Sequence, residues 1–503
     1  MIHGMRILSL AAALVMCFGQ AWALEFETQS LDTRMRLDQP ARVANLAGEP
    51  RLLLVGRTPD GEQQLQVYRL RSGVQPELQL SMTLSRELLA MDVVRIPGGE
   101  ALCFLDPEGA LCLDFPSGEL RRVLNFSSLF RLPRRGSIAT LDFMQDLNDD
   151  ELDDLLVPDF GGLVFALQHA DGSFSVPAEL LARPEMILGE TVVRYRLPRT
   201  YLADANFDGR MDVLVLEDRS LRVYTGIAQS GFDNQGRLLR LGLDIASDAQ
   251  LQEWESDRGD MDQSDLSIRV IERVADLNGD GAPDVLTEAT HSSGVFDKSS
   301  DFAVHLGRNR DGWVQHSDPP DSVMVSKGMQ FDLVVEDLDG DGRKDLIIPS
   351  IRLGLGRVIK ALFSGSISMD LNFYRADSLG HYPAEPNYSA TTKVRIDMKK
   401  GHADVPAVLA ADFSGDGIKD LLLQLNRDEL KITLGDASES LFAGQSFKIN
   451  ASLPRNGDRV QPLDVDADGL SDLVIQYGDA DGPELSGKLS VLLAVHDAGA
   501  SGQ

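Results

Sequence analysis

Six times between residues 146 and 472 the chain repeats a nine-residue pattern with an oxygen-bearing side chain at positions 1, 3, 5 and 9, followed by a short apolar run. The copies are Asp146-Asn148-Asp150-Asp154, Asp204-Asn206-Asp208-Asp212, Asp276-Asn278-Asp280-Asp284, Asp337-Asp339-Asp341-Asp345, Asp412-Ser414-Asp416-Asp420 and Asp464-Asp466-Asp468-Asp472. Their first aspartates lie 52 to 75 residues apart, which sets the size of one structural unit. No fold that ignores this repeat can be right, because each copy must be accommodated in the same local way.

Within one copy, positions 1, 3 and 5 offer side-chain oxygens, position 7 a main-chain carbonyl and position 9 a closing carboxylate. Glycine at position 6 permits the sharp turn that wraps these groups around one ion. Such a set suits calcium, a hard cation that accepts many oxygen ligands in flexible geometry, better than magnesium, which retains its water. About five to six calcium ions are therefore expected, one for each loop that can hold it. The copies are unequal. The second, third, fourth and sixth are complete, whereas Glu151 replaces the position-6 glycine of the first and Ser414 brings only a hydroxyl to the fifth.

After each loop comes a buried-strand signal, such as Leu155-Leu156-Val157, Leu346-Ile347-Ile348 or Leu473-Val474-Ile475, and often a second strand, such as Leu221–Tyr224 or Leu430–Leu434. Two worn copies precede the six. Residues 43–51 keep the position-6 glycine, Gly48, without the aspartates, and residues 92–100 keep only their acidic ends. Units of this kind bury both faces only by stacking around a centre. The expected fold is an all-β propeller of four-stranded blades, seven or eight in number with eight preferred. Residues 24–33 would close the ring by pairing near residues 488–495.

Residues 1–23 read as a signal peptide: Arg6, an apolar run from Ile7 to Phe18, and a small-x-small site at Ala21-Trp22-Ala23. Export to the periplasm or beyond follows as an expectation. Residues 24–496 form one propeller domain, and residues 497–503 a disordered tail. A formal charge of -30 argues against a nucleic-acid partner, whose phosphates would be repelled. Cys103 and Cys112 flank a hairpin turn at Pro107–Gly109. A disulfide and a pair of small buried hydrophobes both remain open.

Two stretches read as insertions. Residues 228–268 are polar and contain Arg258-Gly259-Asp260, a tripeptide for which chance occurrence is the preferred explanation. Residues 351–400 include a candidate helix at 354–363 and the aromatics Phe373, Tyr374 and Tyr382. They are the leading candidate for a partner surface, set against the plainer reading of a cap packed by its own aromatics.

The loops with their following strands resemble the FG-GAP/VCBS repeat, the calcium-binding unit of integrin alpha-chain propellers and of many secreted bacterial proteins. The resemblance covers residues 140–480 well and 40–140 poorly. The Phe-Gly and Gly-Ala-Pro features that name the family are mostly missing, and Gly281-Ala282-Pro283 falls inside a metal loop. It implies calcium ligands at the 24 positions named above.

Catalytic signatures are sparse. The sequence has no His-Glu-x-x-His, no Gly-x-Ser-x-Gly and no phosphate-cradling glycine loop. His169, His291, His305, His316, His381, His402 and His496 are scattered singly. The expectation is a non-enzymatic binding module for a protein or glycan of the envelope or outside. A calcium-dependent hydrolase or lyase acting on polysaccharide or phosphate ester, and a structural platform at the envelope, are the alternatives.

Overall fold

The computed structural model describes residues 24–130, 138–188, 193–228, 231–251, 264–293, 298–352, 355–397 and 402–495. The cleavage site, the Arg258-Gly259-Asp260 tripeptide and the tail lie outside the described residues.

The apolar runs after each loop become the second strand of a blade, and their burial explains their composition. Asp154–Pro158, Asp420–Gln424 and Asp472–Gln476 are buried at every position. Both faces of such a strand are covered by neighbouring blades, so the strand is apolar throughout instead of alternating. Outer strands do alternate: Ser322–Lys327 and Ser446–Asn450 switch regularly between covered and exposed residues.

Eight antiparallel blades result. In chain order their second strands are Glu49–Arg57, Gly99–Asp106, Asp154–Pro158, Asp212–Glu217, Asp284–Ser293, Asp345–Ile351, Asp420–Gln424 and Asp472–Gln476; we number the blades 1 to 8 accordingly. Blade 8 is completed by the N-terminal strand Glu25–Asp32, which pairs with Lys488–Val495 from Glu25↔Val495 to Asp32↔Lys488. First and last segments thus share one sheet, as the sequence suggested, and the ring is closed by main-chain hydrogen bonds.

The core is correspondingly divided. Each of eight apolar clusters joins one blade to the next, and the last joins Leu31, Leu52 and Leu54 to Val474 and Val491 across the closure. Stability is therefore spread over blade interfaces, with no central core.

The worn copies are different structures. Blade 1 turns from its first to its second strand through Ala47-Gly48, and blade 2 through Pro97-Gly98. Ala47 and Gly48 both have positive φ, the backbone of a tight hairpin turn. The glycine that looked like a relic of a metal loop is a turn residue. Across the second and third strands of blade 2, Cys103 pairs directly with Cys112, and the two form a disulfide.

Both supposed insertions contain blade strands. Arg237–Arg240 is the outer strand of blade 4, and Ser264–Ala275 begins blade 5. Ser366–Tyr374 and Tyr388–Asp397 are the third and fourth strands of blade 6, entered through a helix at Leu355–Ser364. Phe373, Tyr374 and Tyr382 are buried in the interfaces of blade 6. The aromatics that suggested a partner surface at 351–400 are core, because that stretch builds a blade.

Candidate metal centre

Every acidic loop occupies the same place, the connection between first and second strands of blades 3 to 8. The ninth aspartate is the first residue of the second strand, and in each loop it is buried: Asp154, Asp212, Asp284, Asp345, Asp420 and Asp472. Its two oxygens do separate jobs. In the third loop Asp284 Oδ2 accepts from the Leu277 main chain at 2.9 Å, and Oδ1 accepts from Gly307 at 2.7 Å. The same pair of bonds recurs in the other five, from Leu147 and Gln168, Ala205 and Gly226, Leu338 and Ala376, Phe413 and Gly435, and Val465 and Ala494. Position 9 therefore ties position 2 of its own loop to the far end of the third strand.

The other positions shape the loop. The first aspartate accepts at one oxygen from position 5 and at the other from position 6: Asp276 takes Asp280 N at 3.1 Å and Gly281 N at 2.8 Å. Asp146, Asp204, Asp337 and Asp412 repeat both bonds. Position 5 turns to position 7, as Asp150, Asp208, Asp280, Asp341, Asp416 and Asp468 each accept from the residue two further on. At position 3, Asn206 and Asn278 accept from and donate to Asp208 and Asp280, respectively. Asn148 sits on the exposed turn of the first loop.

Two positions need a left-handed backbone, one of which the sequence did not reveal. Position 6 is Gly281 at φ 84, and Glu151 adopts φ 68 there, as its place in the pattern requires. Position 4 is also left-handed: Gly279, Gly340 and Gly415 accept this freely, but Asp149, Phe207 and Ala467 do so against side-chain sterics.

Neighbouring loops are laced to one another along one rim of the ring. Asp204 N donates to Gly281 O, Lys344 N to Leu277 O, Lys419 N to Leu338 O and Ser471 N to Asp412 O. The second to sixth loops thus form a continuous hydrogen-bonded series. A Cβ on Gly279 would stand 3.1 Å from Gly342 O, and one on Gly340 would stand 3.0 Å from Gly417 O, so small residues there allow the close approach.

Burial strains the charge balance. It pushes the carboxyls of Asp154, Asp284, Asp345 and Asp472 up to about 7, and those of Asp212 and Asp420 up to about 6, with loop aspartates adding repulsion and the main-chain donors opposing. Such a loop holds its negative charge readily only when positive charge is nearby.

The six differ in where that positive charge could come from. In the sixth, Asp464, Asp466 and Asp472 bring three carboxylate oxygens within 4.8 Å of one another. There Asp464 Oδ1 and Asp466 Oδ1 are buried with no donor among the described residues, which fits a cation in their midst. In the fourth, Asp337, Asp339 and Asp345 also converge, but the Arg375 guanidinium pairs with Asp339 and Asp341, and Arg343 with Asp341. Arg210 pairs with Asp208 in the second, and Arg95 stands 3.6 Å from Asp146 in the first. In the fifth, Ser414 Oγ lies 3.4 Å from Asp412 Oδ1 as a donor, which leaves the hydroxyl a poor ligand in this arrangement.

The structure also assembles a side-chain relay that the sequence could not show. On the long strands of blade 5, Ser267 Oγ lies 3.1 Å from His291 Nδ1, and His291 Nε2 lies 2.9 Å from Asp301 Oδ2. Cross-strand register brings the three together, with Ser267 opposite His291 and Asp301 on the next strand. No spacing in the sequence signals this.

No family model matches the sequence, and no curated protein does. Among solved structures, the chain is similar to a lectin of Agrocybe aegerita described by its recognition of non-reducing terminal N-acetylglucosamine, at 13% identity and a TM-score of 0.46, covering 93% of this chain and 99% of that one. It is also similar to BBS1N, solved in complex with ARL6DN, at 10% identity and a TM-score of 0.35, covering 95% of this chain and 98% of that one. The propeller assignment stands on the strand pairing itself. No helix among the described residues is long and apolar enough to cross a membrane.

Proposed function

We propose that the protein is an exported, calcium-stabilised propeller of the FG-GAP/VCBS type that acts as a non-enzymatic binding module for a macromolecular partner. The observation carrying the calcium reading is the sixth loop, where Asp464 Oδ1 and Asp466 Oδ1, from two members of a three-acid cluster, are buried without a donor among the described residues. A bound calcium would be held by side chains at positions 1, 3 and 5, with position 9 joining where it converges, and would supply the positive charge that burial demands. The Cys103–Cys112 disulfide supports export, since such bonds persist in oxidising compartments.

Calcium titration by calorimetry, with elemental analysis of the dialysed protein, tests this. The sixth loop should bind most tightly, so Asp464→Ala should remove one high-affinity site. Asp337→Ala should change little, because Arg375 already neutralises part of the fourth loop. Protein without bound calcium, or equal losses from both variants, would overturn the assignment.

A hydrolytic reading is favoured by one observation, the Ser267–His291–Asp301 relay, whose connectivity is that of an activated serine. Labelling of Ser267 by a fluorophosphonate, abolished by His291→Ala, would convert the binding module into an enzyme. Absence of labelling in folded protein removes this reading.

A further inference from the structure

An arginine-lined cavity of about 1150 Å³ opens between blades 4 and 5, beneath the hairpin Glu185–Leu188/Val193–Arg196. Its charge is unusual for this chain. Acids outnumber lysines and arginines by 78 to 48 over the whole sequence. Here, among the described residues, five arginines face five acids, with no lysine.

The acids are largely engaged already. Glu217 is paired with Arg222 at 2.7 Å, and Glu185 with Arg196 at 3.2 Å. Asp218 and Asp248 each accept the other's main-chain N–H, at 2.9 and 3.1 Å. Four guanidiniums, by contrast, have no carboxylate partner among the described residues. Arg199 donates to Ile271 O and Arg219 to Gln250 Oε1, whereas Arg183 and Arg240 make no polar contact there. Glu272 is the one remaining acid of the wall.

Between these charges the wall is aliphatic. Leu197 and Leu238 are 41% and 49% exposed, and Leu243, Val215 and Ile271 form a buried floor. Among the described residues no aromatic side chain lines the cavity, so these walls offer a sugar ring no face to stack on. The volume exceeds the usual range of small-molecule pockets, so an extended ligand is the better fit.

We propose that this cavity binds an acidic peptide segment with aliphatic side chains, supplied by a partner protein. The inference rests on reading the propeller as a binding module, and names the partner's chemistry. Carboxylates of the segment would take the unpaired guanidiniums, Arg183 and Arg240 first, since they give up no existing bond. Planar guanidinium forks suit carboxylates, and arginine clusters are a recurrent device for acidic-motif recognition. The leucines would cover the exposed Leu197 and Leu238.

The test uses the full chain with calcium present and a short fluorescein-labelled peptide alternating leucine and glutamate, read by fluorescence anisotropy. Binding should occur, and should weaken by about tenfold or more in Arg183→Glu/Arg240→Glu, where two attractive contacts become repulsive. Neither side chain makes a polar contact among the described residues, Arg240 joining its strand through the main chain alone, and an unchanged melting temperature confirms that the variant is intact. A glutamine analogue should bind at least about tenfold more weakly than the glutamate peptide. Equal binding of the analogue, no binding of the glutamate peptide, or unaltered affinity in the variant overturns the proposal. So does an oligouronate that binds with the same arginine dependence and displaces the peptide, which would assign the cavity to an acidic glycan. Loss of calcium binding with peptide binding intact would refute the metal reading alone.

Discussion

Blades 1 and 2 pass from first to second strand in two residues, whereas blades 3 to 8 take an acidic nine-residue loop for the same step. Yet strand order is shared, and blades 1 and 2 bury apolar residues against each other and their neighbours as the rest do. A blade of this ring therefore does not require the acidic loop to form. What the loop adds is a buried carboxylate tied to two strands. The first two blades are held differently. Blade 2 carries the Cys103–Cys112 disulfide, and blade 1 gathers Arg51, Arg69 and Arg71 around Glu49.

The largest effect should come from chelation. One site saturated at a hundredfold over its Kd contributes about 2.7 kcal/mol, and several loops act together. Calcium removal should lower the melting temperature by many degrees. Amide hydrogen exchange should speed up across blades 3 to 8 before blades 1 and 2, and uniform acceleration would show that the two groups are not independently stabilised.

Asp284→Ala comes next. It strands the main-chain donors of Leu277 and Gly307 in a buried place and should destabilise by about 2–4 kcal/mol in urea unfolding, with calcium present. Glu49→Ala, at the start of the second strand of blade 1, should do less, because Arg69 and Arg71 can turn to water and the buried Arg51 keeps the Pro50 carbonyl and the Phe115 ring.

Removing the other staple, by Cys103→Ala with Cys112→Ala, should cost about 2–3 kcal/mol from the loop it closes. The calcium-dependent part of the melting shift should be unchanged. A changed calcium response would mean that disulfide and acidic loops stabilise one cooperative unit.

The smallest effect concerns a carboxylate on the boundary between the two groups. Asp92, in blade 2, accepts the main-chain N–H groups of Phe143 and Met144 in blade 3, and burial pushes it up to about 7. A carboxyl raised above its unfolded value stabilises at low pH, and that contribution is lost as pH rises through 7. Asp92→Asn keeps the acceptor and removes the charge. It should raise stability by about 1 kcal/mol near pH 8 and change little near pH 5, as thermal melts at the two pH values would show.

Much of this is legible in the sequence alone. The repeat set the unit length, the apolar runs marked the second strands, and the pairing of residues 25–32 with 488–495 was readable from strand signals at both ends. Glu151, at the glycine position of the first loop, takes a glycine-like backbone. Other features were hidden for physical reasons. Gly48 looked like a metal-loop relic because one glycine serves either turn. Phe373 and Tyr382 looked like partner-facing aromatics because composition carries no information about which side a blade covers. The fourth loop ranked among the complete ones because Arg375 lies 30 residues beyond it along the chain.

By itself the sequence determined what is local and repeated: six acidic loops, the strands that follow them, and the need to stack such units into a closed ring. Hydrogen-bonding positions one to nine residues apart are fixed by chain geometry, so spacing alone reveals them. Only the tertiary structure decided which charges meet. Arg375 on Asp339, the Ser267–His291–Asp301 relay, the loop-to-loop lacing and the arginine cavity all join residues through blade packing and strand register. Those depend on the whole ring being closed, and no local pattern of residues encodes them.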